Sequence, residues 1–265
     1  MIPIEFLYFL LGLFASIVGS IAGLGGGIII KPVLDFLGHY DVATISILSI
    51  ATVFSMATIS LLKSLSTGIR VKGKVGLTLA VGSIVGGSSG NIIFHSLIAT
   101  INDSTFVTTI QSGTLASLVL MIIILVKNQY RIATFTINNP LIIFSIGLIL
   151  GLIASFLGIG GGPLNMAVLT LLFSMNTKNA SINSIFIIFL SQLSSLLITA
   201  YNTSFSGFDL SMLVYIVAGG IIGGFIGSNI YVKLSVRKVE FYFYLTLLLI
   251  FFLNVYNMII NLLHL

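Results

Sequence analysis

Cysteine and tryptophan are absent from this sequence of 265 residues, and charged residues make up only 6% of it. Without cysteine the chain can form no disulfide, no thiolate nucleophile and no cysteine-ligated metal site. About a quarter of the residues in soluble domains are charged, so six acids and eleven bases cannot cover a soluble protein of this length. The composition therefore excludes a soluble enzyme, a secreted disulfide scaffold and a nucleic-acid-binding protein.

Hydrophobic residues make up 57% of the chain, and its mean hydropathy is +1.21. The apolar runs reach the roughly 20 residues that a helix needs to cross a bilayer. An all-α polytopic membrane protein is therefore predicted, with the lipid bilayer as its surroundings. Its apolar segments are 5–37, 42–65, 75–99, 105–127, 139–174, 180–201, 210–232 and 240–263.

The first and fifth segments are too long for one crossing, and each is interrupted by glycines. Gly23-Leu24-Gly25-Gly26-Gly27 matches Gly158-Ile159-Gly160-Gly161-Gly162 at an offset of 135 residues, and 82–90 matches 219–227 at an offset of 137. Such self-similarity indicates duplication. We predict two repeats, 1–132 and 133–265, that form one integrated membrane domain. Each repeat has a re-entrant or broken glycine-interrupted segment and three transmembrane helices.

The distribution of basic residues predicts how the repeats are oriented. Cytoplasmic loops are rich in Lys and Arg, yet ten of the eleven bases divide six to four between the two sides if every segment crosses once. All ten fall on one side if the fifth segment enters and returns, or crosses twice, and by duplication the first segment should behave alike. The second repeat is then inverted relative to the first, an arrangement typical of secondary transporters with broken helices at the membrane midplane.

The glycine runs are suited to binding an anion. Glycine permits positive φ and close approach of backbone N–H groups, and a helix that begins after such a loop adds partial positive charge. Two opposed loops would form one anion site. The alternative is that the glycines only permit a tight turn between packed helices. The predicted ligand residues in the loops are Gly23, Gly25, Gly26, Gly27, Gly158, Gly160, Gly161 and Gly162.

Lys31 lies four residues after the first glycine run, where an ionisable residue is a functional candidate. It could pair with an anionic substrate, extend to the membrane surface, or pair with Asp35 one turn later. Hydroxyl and amide groups are further candidate ligands, with hydrogen bonding between helices as their alternative role. These candidates are Thr44, Ser46, Ser49, Asn165, Ser181, Asn183, Ser184 and Gln192, with Asn91, Gln111 and Asn229 on other helices.

The six acids lie at or near segment ends, which predicts that the protein has no carboxylate proton relay within the membrane. No metal-ligand cluster and no nucleophile–base pair is evident in the sequence, so no enzyme activity, metal or other cofactor is expected. An anion that leaves a cell with a negative interior gains about 2.3 kcal/mol per charge per 100 mV. Efflux therefore needs no coupling ion, and we predict export.

The paired Gly-x-Gly-Gly-Gly runs, Pro32-Val33-Leu34 and the later glycine-rich helices resemble the TauE/SafE sulfite-exporter family, also called the toluene-sulfonate uptake permease family. The resemblance covers nearly the whole chain. It implies a plasma-membrane permease for sulfite, thiosulfate, organosulfonates or related anions, with the two glycine motifs as its repeated elements. This sequence departs from the family pattern at Lys31, where an apolar residue is expected, and at Pro163, which directly follows the second glycine run.

We predict a membrane transporter for small sulfur-containing anions. The alternatives are a transporter of an unrelated organic anion, an intramembrane enzyme that acts on lipid, and a membrane subunit without transport activity. Duplicated broken helices are hard to explain without a binding site. The expected partners are the small anionic substrate and the bilayer, and the sequence is compatible with a homo-oligomer.

Overall fold

A computed structural model describes residues 3–65, 71–101, 104–128, 134–157, 160–203 and 207–263. These residues form helices and no strand. Seven of the helices, α1, α3, α5, α6, α8, α9 and α10, are long and apolar enough to cross a membrane. The helices are α1 (Ile4–Ala22), α2 (Gly27–Leu37), α3 (Val42–Leu65), α4 (Gly73–Ile101), α5 (Ser104–Lys127), α6 (Pro140–Leu157), α7 (Gly162–Leu172), α8 (Thr177–Thr203), α9 (Leu213–Lys233) and α10 (Val236–Leu263).

Both long apolar segments are broken at their glycines, as the sequence predicts. Gly23, which ends α1, and Gly26, which precedes α2, have φ of 72° and 68°. Gly160 and Gly161, which precede α7, have φ of 65° and 80°. Left-handed backbone of this kind is accessible to glycine at little cost. The helices that follow, α2 and α7, have only 11 residues each, too few to cross a bilayer.

Each broken pair of helices returns to the end of the molecule at which it begins. The Tyr8 hydroxyl near the start of α1 lies 3.1 Å from Nδ1 of His39, which follows α2. In the second half, the N–H of Phe135 before α6 donates to the carbonyl of Leu171 near the end of α7, at 2.9 Å. Helices α1 and α2, and likewise α6 and α7, therefore form hairpins with the glycine loops at their tips.

Glycines let α9 pack closely on α1. A Cβ added at Gly219, Gly223 or Gly227 would collide with or closely approach the carbonyl of Phe9, Leu13 or Ile17, respectively. Residue numbers increase in the same direction along both helices from one contact to the next, so α1 and α9 run parallel. Small residues at spacings of four allow such close packing of helices in membranes.

The same packing occurs between α4 and α6. Gly82, Gly86 and Gly90 approach the carbonyls of Phe144, Leu148 and Leu152 in ascending order, so these helices are also parallel. The glycines of α4 and α9 are related by an offset of 137 residues, and the carbonyls of α1 and α6 by 135. Each hairpin therefore packs against a helix of the other half of the chain.

Helices α3 and α8 cross the centre of the molecule. Phe54 of α3 stacks on Phe189 of α8 with 5.2 Å between ring centroids, and α3 also packs on α9, where Gly220 and Gly224 approach Thr52 and Met56 in ascending order. Parallel α3 and α9 end at the same end of the molecule, which we call the basic end because Lys63 and Lys233 lie there.

Lys178 fixes the start of α8 at the basic end. Its Nζ donates hydrogen bonds to the carbonyls of Val232 and Leu234 at 3.0 and 2.8 Å. A lysine at this position satisfies carbonyl groups that the end of α9 leaves free. At the opposite end, the hydroxyls of Tyr40 and Ser211 lie 2.8 Å apart and join the start of α3 to the segment before α9.

Candidate functional site

The two glycine loops meet in the middle of the molecule. A Cβ at Gly162 would collide with the carbonyl group of Leu24, so the start of α7 packs directly on the first loop. Leu24 is 2% exposed and Gly162 is buried. Only a residue without a side chain fits at this contact.

Small polar side chains surround the first loop. The Ser184 hydroxyl donates to the carbonyl of Gly23 at 2.8 Å, and Ser181 packs against the α-carbon of the same glycine. The Ser49 hydroxyl lies 3.2 Å from the position that a Cβ on Gly27 would occupy. Gly23 through Gly26 are all buried, so the first loop is enclosed by protein.

Carboxamide side chains surround the second loop. Nδ2 of Asn165 lies 3.3 Å from the Cβ position of Gly161, and Nε2 of Gln192 lies 3.3 Å from that of Gly160. Nε2 of Gln111 also donates to the carbonyl of Phe156 in the last turn of α6, at 2.5 Å. Amide groups at this depth replace the water that would otherwise solvate broken helix ends.

Both short helices begin at this centre with their N-termini. The N–H groups of the first turn of a helix have no partner within the helix, and the helix dipole places partial positive charge there. Pro163 occupies the first turn of α7, where its missing N–H removes no helical hydrogen bond. The centre therefore combines partial positive charge with neutral hydrogen-bond donors.

The structure gathers most of the predicted ligand residues at this centre but places others at its margins. Gly158 lies outside the described residues, as does the side chain of Asn91, and the partly exposed Ser46 lies in the first turns of α3. The residues at the centre are Gly23, Gly25, Gly26, Gly27, Ser49, Gly160, Gly161, Gly162, Asn165, Ser181 and Ser184.

Thr44 and Asn183 use their polar groups in hydrogen bonds within the protein. Thr44 lies in the first turn of α3, where its hydroxyl and backbone N–H groups hold the pKa of the Asp41 carboxyl below its usual value. Oδ1 of Asn183 accepts from the N–H of Lys72 at 2.9 Å, and its Nδ2 donates to the carbonyl of Asn179 at 2.8 Å. These contacts favour the structural alternative for both side chains.

Lys31 lies in α2, one turn before Asp35, and the two side chains attract each other electrostatically. Lys31 is partly buried and Asp35 is exposed. The matching position in α7 is Met166, which is 1% exposed. The positive charge therefore belongs to only one of the two hairpins.

Two contacts at the centre are not apparent from the sequence. The Gln111 cap on α6 joins residues 45 positions apart, and Ile188 of α8 covers Gly25, with its Cδ1 3.0 Å from the Cβ position. Neither residue belongs to a motif. A polar side chain in the apolar α5 is the only signal that could have suggested the first contact.

Comparison with known proteins finds a transporter family that this chain matches. Residues 8–253 match the family model described as Sulfite exporter TauE/SafE. The chain is also similar to the "Probable membrane transporter protein YunE" of Bacillus subtilis (strain 168), with 26% identity over 264 residues, 91% of this chain and 93% of that protein. No solved structure gives a significant match.

Proposed function

This chain belongs to the sulfite exporter TauE/SafE family and is a multi-pass membrane transporter, and we propose that it carries small sulfur-containing anions such as sulfite, thiosulfate or organosulfonates. The anion binds between the two glycine loops, where α2 and α7 begin. The observation that supports this site most is the direct packing of Gly162 on Leu24, which brings both loops and both helix N-termini together.

The polarity of the centre suits an anion better than a cation. Helix N-termini attract negative charge, and the N–H groups of Asn165 and the hydroxyls of Ser49 and Ser181 can donate hydrogen bonds to oxyanion oxygens. The acids in the described residues lie towards helix ends or in connections, so no fixed carboxylate repels an anion at the centre. These acids are Glu5, Asp35, Asp41, Asp209 and Glu240.

Both hairpins are proposed to enter the membrane and return, so that repeat 133–265 is inverted relative to repeat 1–132. The parallel pairs α1 with α9 and α4 with α6 are compatible with this orientation, because each joins a hairpin to a helix of the other repeat. Lys63, Lys178 and Lys233 then share the cytoplasmic side, in agreement with the positive-inside rule.

Reporter tags test the orientation independently of transport. Tags at both termini should be accessible from outside the cell, whereas a tag in the connection that contains Lys178 should be cytoplasmic. An external Lys178 connection would overturn the inverted arrangement.

Anion flux in proteoliposomes tests the function. Purified protein should accelerate the flux of one or more of sulfite, thiosulfate and sulfoacetate at least tenfold over empty liposomes, and it should accelerate chloride much less. Equal rates for all anions would indicate an unselective pore, and selective flux of a sulfur-free organic anion would assign a different substrate. An absence of flux for every anion would refute the proposal.

Efflux is the proposed direction, because the membrane potential alone supplies about 2.3 kcal/mol per charge per 100 mV for an anion leaving the cell. Export should therefore follow an imposed potassium-diffusion potential at constant pH. Accumulation against an opposing potential that depends on a proton gradient would instead establish coupled uptake.

A further inference from the structure

One pair of equivalent glycines in the two runs has the same backbone conformation but different exposure. Gly25 and Gly160 occupy equivalent positions in the two runs, and both are left-handed, with φ of 84° and 65°. Gly25 is buried, whereas Gly160 is exposed. The backbone conformation at this position therefore does not account for the difference in exposure.

An apolar cover is present over the first loop. The Cβ position of Gly25 is 3.0 Å from Cδ1 of Ile188 and 3.4 Å from Cγ1 of Val53. At the repeat offset of 137 residues, the counterpart of Ile188 is Ala51, whose side chain is too short to cover a loop in the same way. The sequence thus encodes a closed first loop and an open second loop.

A carboxamide takes the place of the apolar cover at the second loop. Nε2 of Gln192 is the one described atom within 4 Å of the Cβ position of Gly160. Gln192 is 9% exposed, and no hydrogen bond joins its side chain to the residues that the structure describes. Its repeat counterpart is Ser55, whose hydroxyl is already donated to the carbonyl of Ala51 at 2.8 Å.

Exposed backbone within a membrane protein lines a water-filled space, because its polar groups are too costly to place in lipid. Helices α6 and α7 occupy the basic-end side of Gly160, so the loop tip faces the opposite end. From Gln192, α8 continues in that direction to Thr203, past the partly exposed Ser195. The exposed Gly160 is therefore turned towards the end that carries residues 207–212.

We propose that Gln192 is a further substrate-binding residue that determines anion specificity, and that the anion reaches it through an opening at the second loop, while Ile188 seals the first. The proposal rests on the proposed transport function. Gln192 and Asn165 donate N–H groups from two directions to an oxyanion that lies against Gly160 and Gly161. The neutral carboxamides favour tetrahedral and pyramidal oxyanions, which can accept several hydrogen bonds, over chloride.

The absence of cysteine allows the opening to be mapped with single thiols. In vesicles of known orientation, Gln192→Cys should react with the membrane-impermeant sulfonate reagent MTSES at least tenfold faster than Val53→Cys, a position that is 2% exposed and lies beside Gly25 in the first loop. The reaction should occur from the side that carries residues 207–212, and a transported anion should slow it severalfold. Equal rates at both positions, reaction only from the basic end, or no protection by the anion would overturn the proposal.

Removing the cover from the first loop provides a second labelling test. Adding Ile188→Ala to Val53→Cys should raise the labelling rate of that cysteine at least fivefold, because Ile188 and Val53 lie together over Gly25 and the larger of the two side chains is then lost. An unchanged rate would refute the role of Ile188 as a seal.

Flux measurements separate this proposal from the proposed function. Gln192→Ala should lower the flux of sulfur oxyanions at least tenfold, and Gln192→Glu should lower it further, because a carboxylate repels the anion. Ser55→Ala should change the flux less than twofold, and thermal unfolding should show that all variants are folded. Normal flux in folded Gln192→Ala would refute this inference alone. Absence of flux in the wild type would instead refute the transport function, and the labelling rates would still test the opening at the second loop.

Discussion

The carbonyl group of Leu24 packs against the α-carbon of Gly162 and thereby joins the two glycine loops. Each residue belongs to a different half of the chain, so this contact sets the relative position of the two hairpins. Protein interiors are close-packed, so this contact leaves no space for an added methyl group. The geometry of the proposed anion site therefore depends on the absence of a side chain at one position.

Gly162→Ala should severely reduce both the thermal stability and the transport activity. The added methyl group would meet backbone atoms of Leu24 that cannot rotate away, and overpacking of this kind typically costs about 1–3 kcal/mol. The midpoint of thermal unfolding in detergent measures the effect. Gly73→Ala is the matched control, because nothing lies within 4 Å of its Cβ position.

Gly86→Ala should separate α4 from α6, whereas the neighbouring Gly87→Ala should be tolerated. A Cβ at Gly86 would collide with the carbonyl of Leu148, but the nearest atom to that of Gly87 is 3.8 Å away. Alanine is favoured over glycine within helices by about 1 kcal/mol, so Gly87→Ala should be neutral or stabilising. Similar unfolding midpoints for both variants would argue against the close contact of these helices.

Much of the fold is predictable because membrane helices leave simple signals in sequence. The apolar runs and the two glycine interruptions predict the helices and their breaks, since length and glycine conformation are local properties. The 137-residue match of 82–90 with 219–227 also anticipates the helix pairs in which Gly86 and Gly223 take part. Duplicated residues perform the same packing role twice.

The candidate site is predictable only in part, because its details depend on contacts between distant residues. Ser184 reaches the first loop from α8 across 161 positions, while Asn183, its neighbour, is used to hold the N–H of Lys72. The sequence presents both as polar residues in an apolar helix. Their different roles depend on how α8 is rotated about its own axis, which turns Ser184 towards the end of α1 and Asn183 towards the start of α4.

Lys31→Met should weaken anion binding. Lys31 lies four residues after Gly27, about 6 Å along the helix, and a unit charge about 10 Å from an anion contributes about 1–2 kcal/mol at an effective dielectric constant of about 20. The apparent KM of flux should therefore rise roughly tenfold in Lys31→Met. Lys74→Met is the control for a general loss of positive charge, and normal KM in Lys31→Met would remove Lys31 from the site.

Lys178→Met should destabilise the basic end of the molecule. The Lys178 ammonium donates to two carbonyls at the end of α9, and a hydrogen bond to a charged group contributes about 1.5–3 kcal/mol. Thermal unfolding should occur at a lower temperature than in Lys238→Met, a nearby lysine with an exposed side chain. Equal midpoints would show that the cap contributes little.

Asp41 should stabilise the start of α3 in a pH-dependent way. Its carboxylate accepts hydrogen bonds from the N–H groups of Ala43 and Thr44 at 3.1 and 3.3 Å, and the Thr44 hydroxyl is the main cause that holds the pKa of this carboxyl below its usual value. Because the pKa is lower in the folded protein than in the unfolded chain, the stabilisation is complete above the unfolded value of about 4. It is lost as the pH falls from there through the folded pKa.

Comparison of two variants separates the charge of Asp41 from its capping role. Asp41→Ala removes the cap and should cost about 1 kcal/mol at neutral pH. Asp41→Asn keeps a capping oxygen but cannot titrate, so its unfolding midpoint should lie below that of the wild type at pH 7 and converge with it as the pH falls through the folded pKa of Asp41. A constant difference between wild type and Asp41→Asn across this range would show that the carboxylate does not contribute through its charge. Convergence would establish that the charge of the carboxylate stabilises the first turn of α3. Ser49, further along the same helix, contacts the first glycine loop.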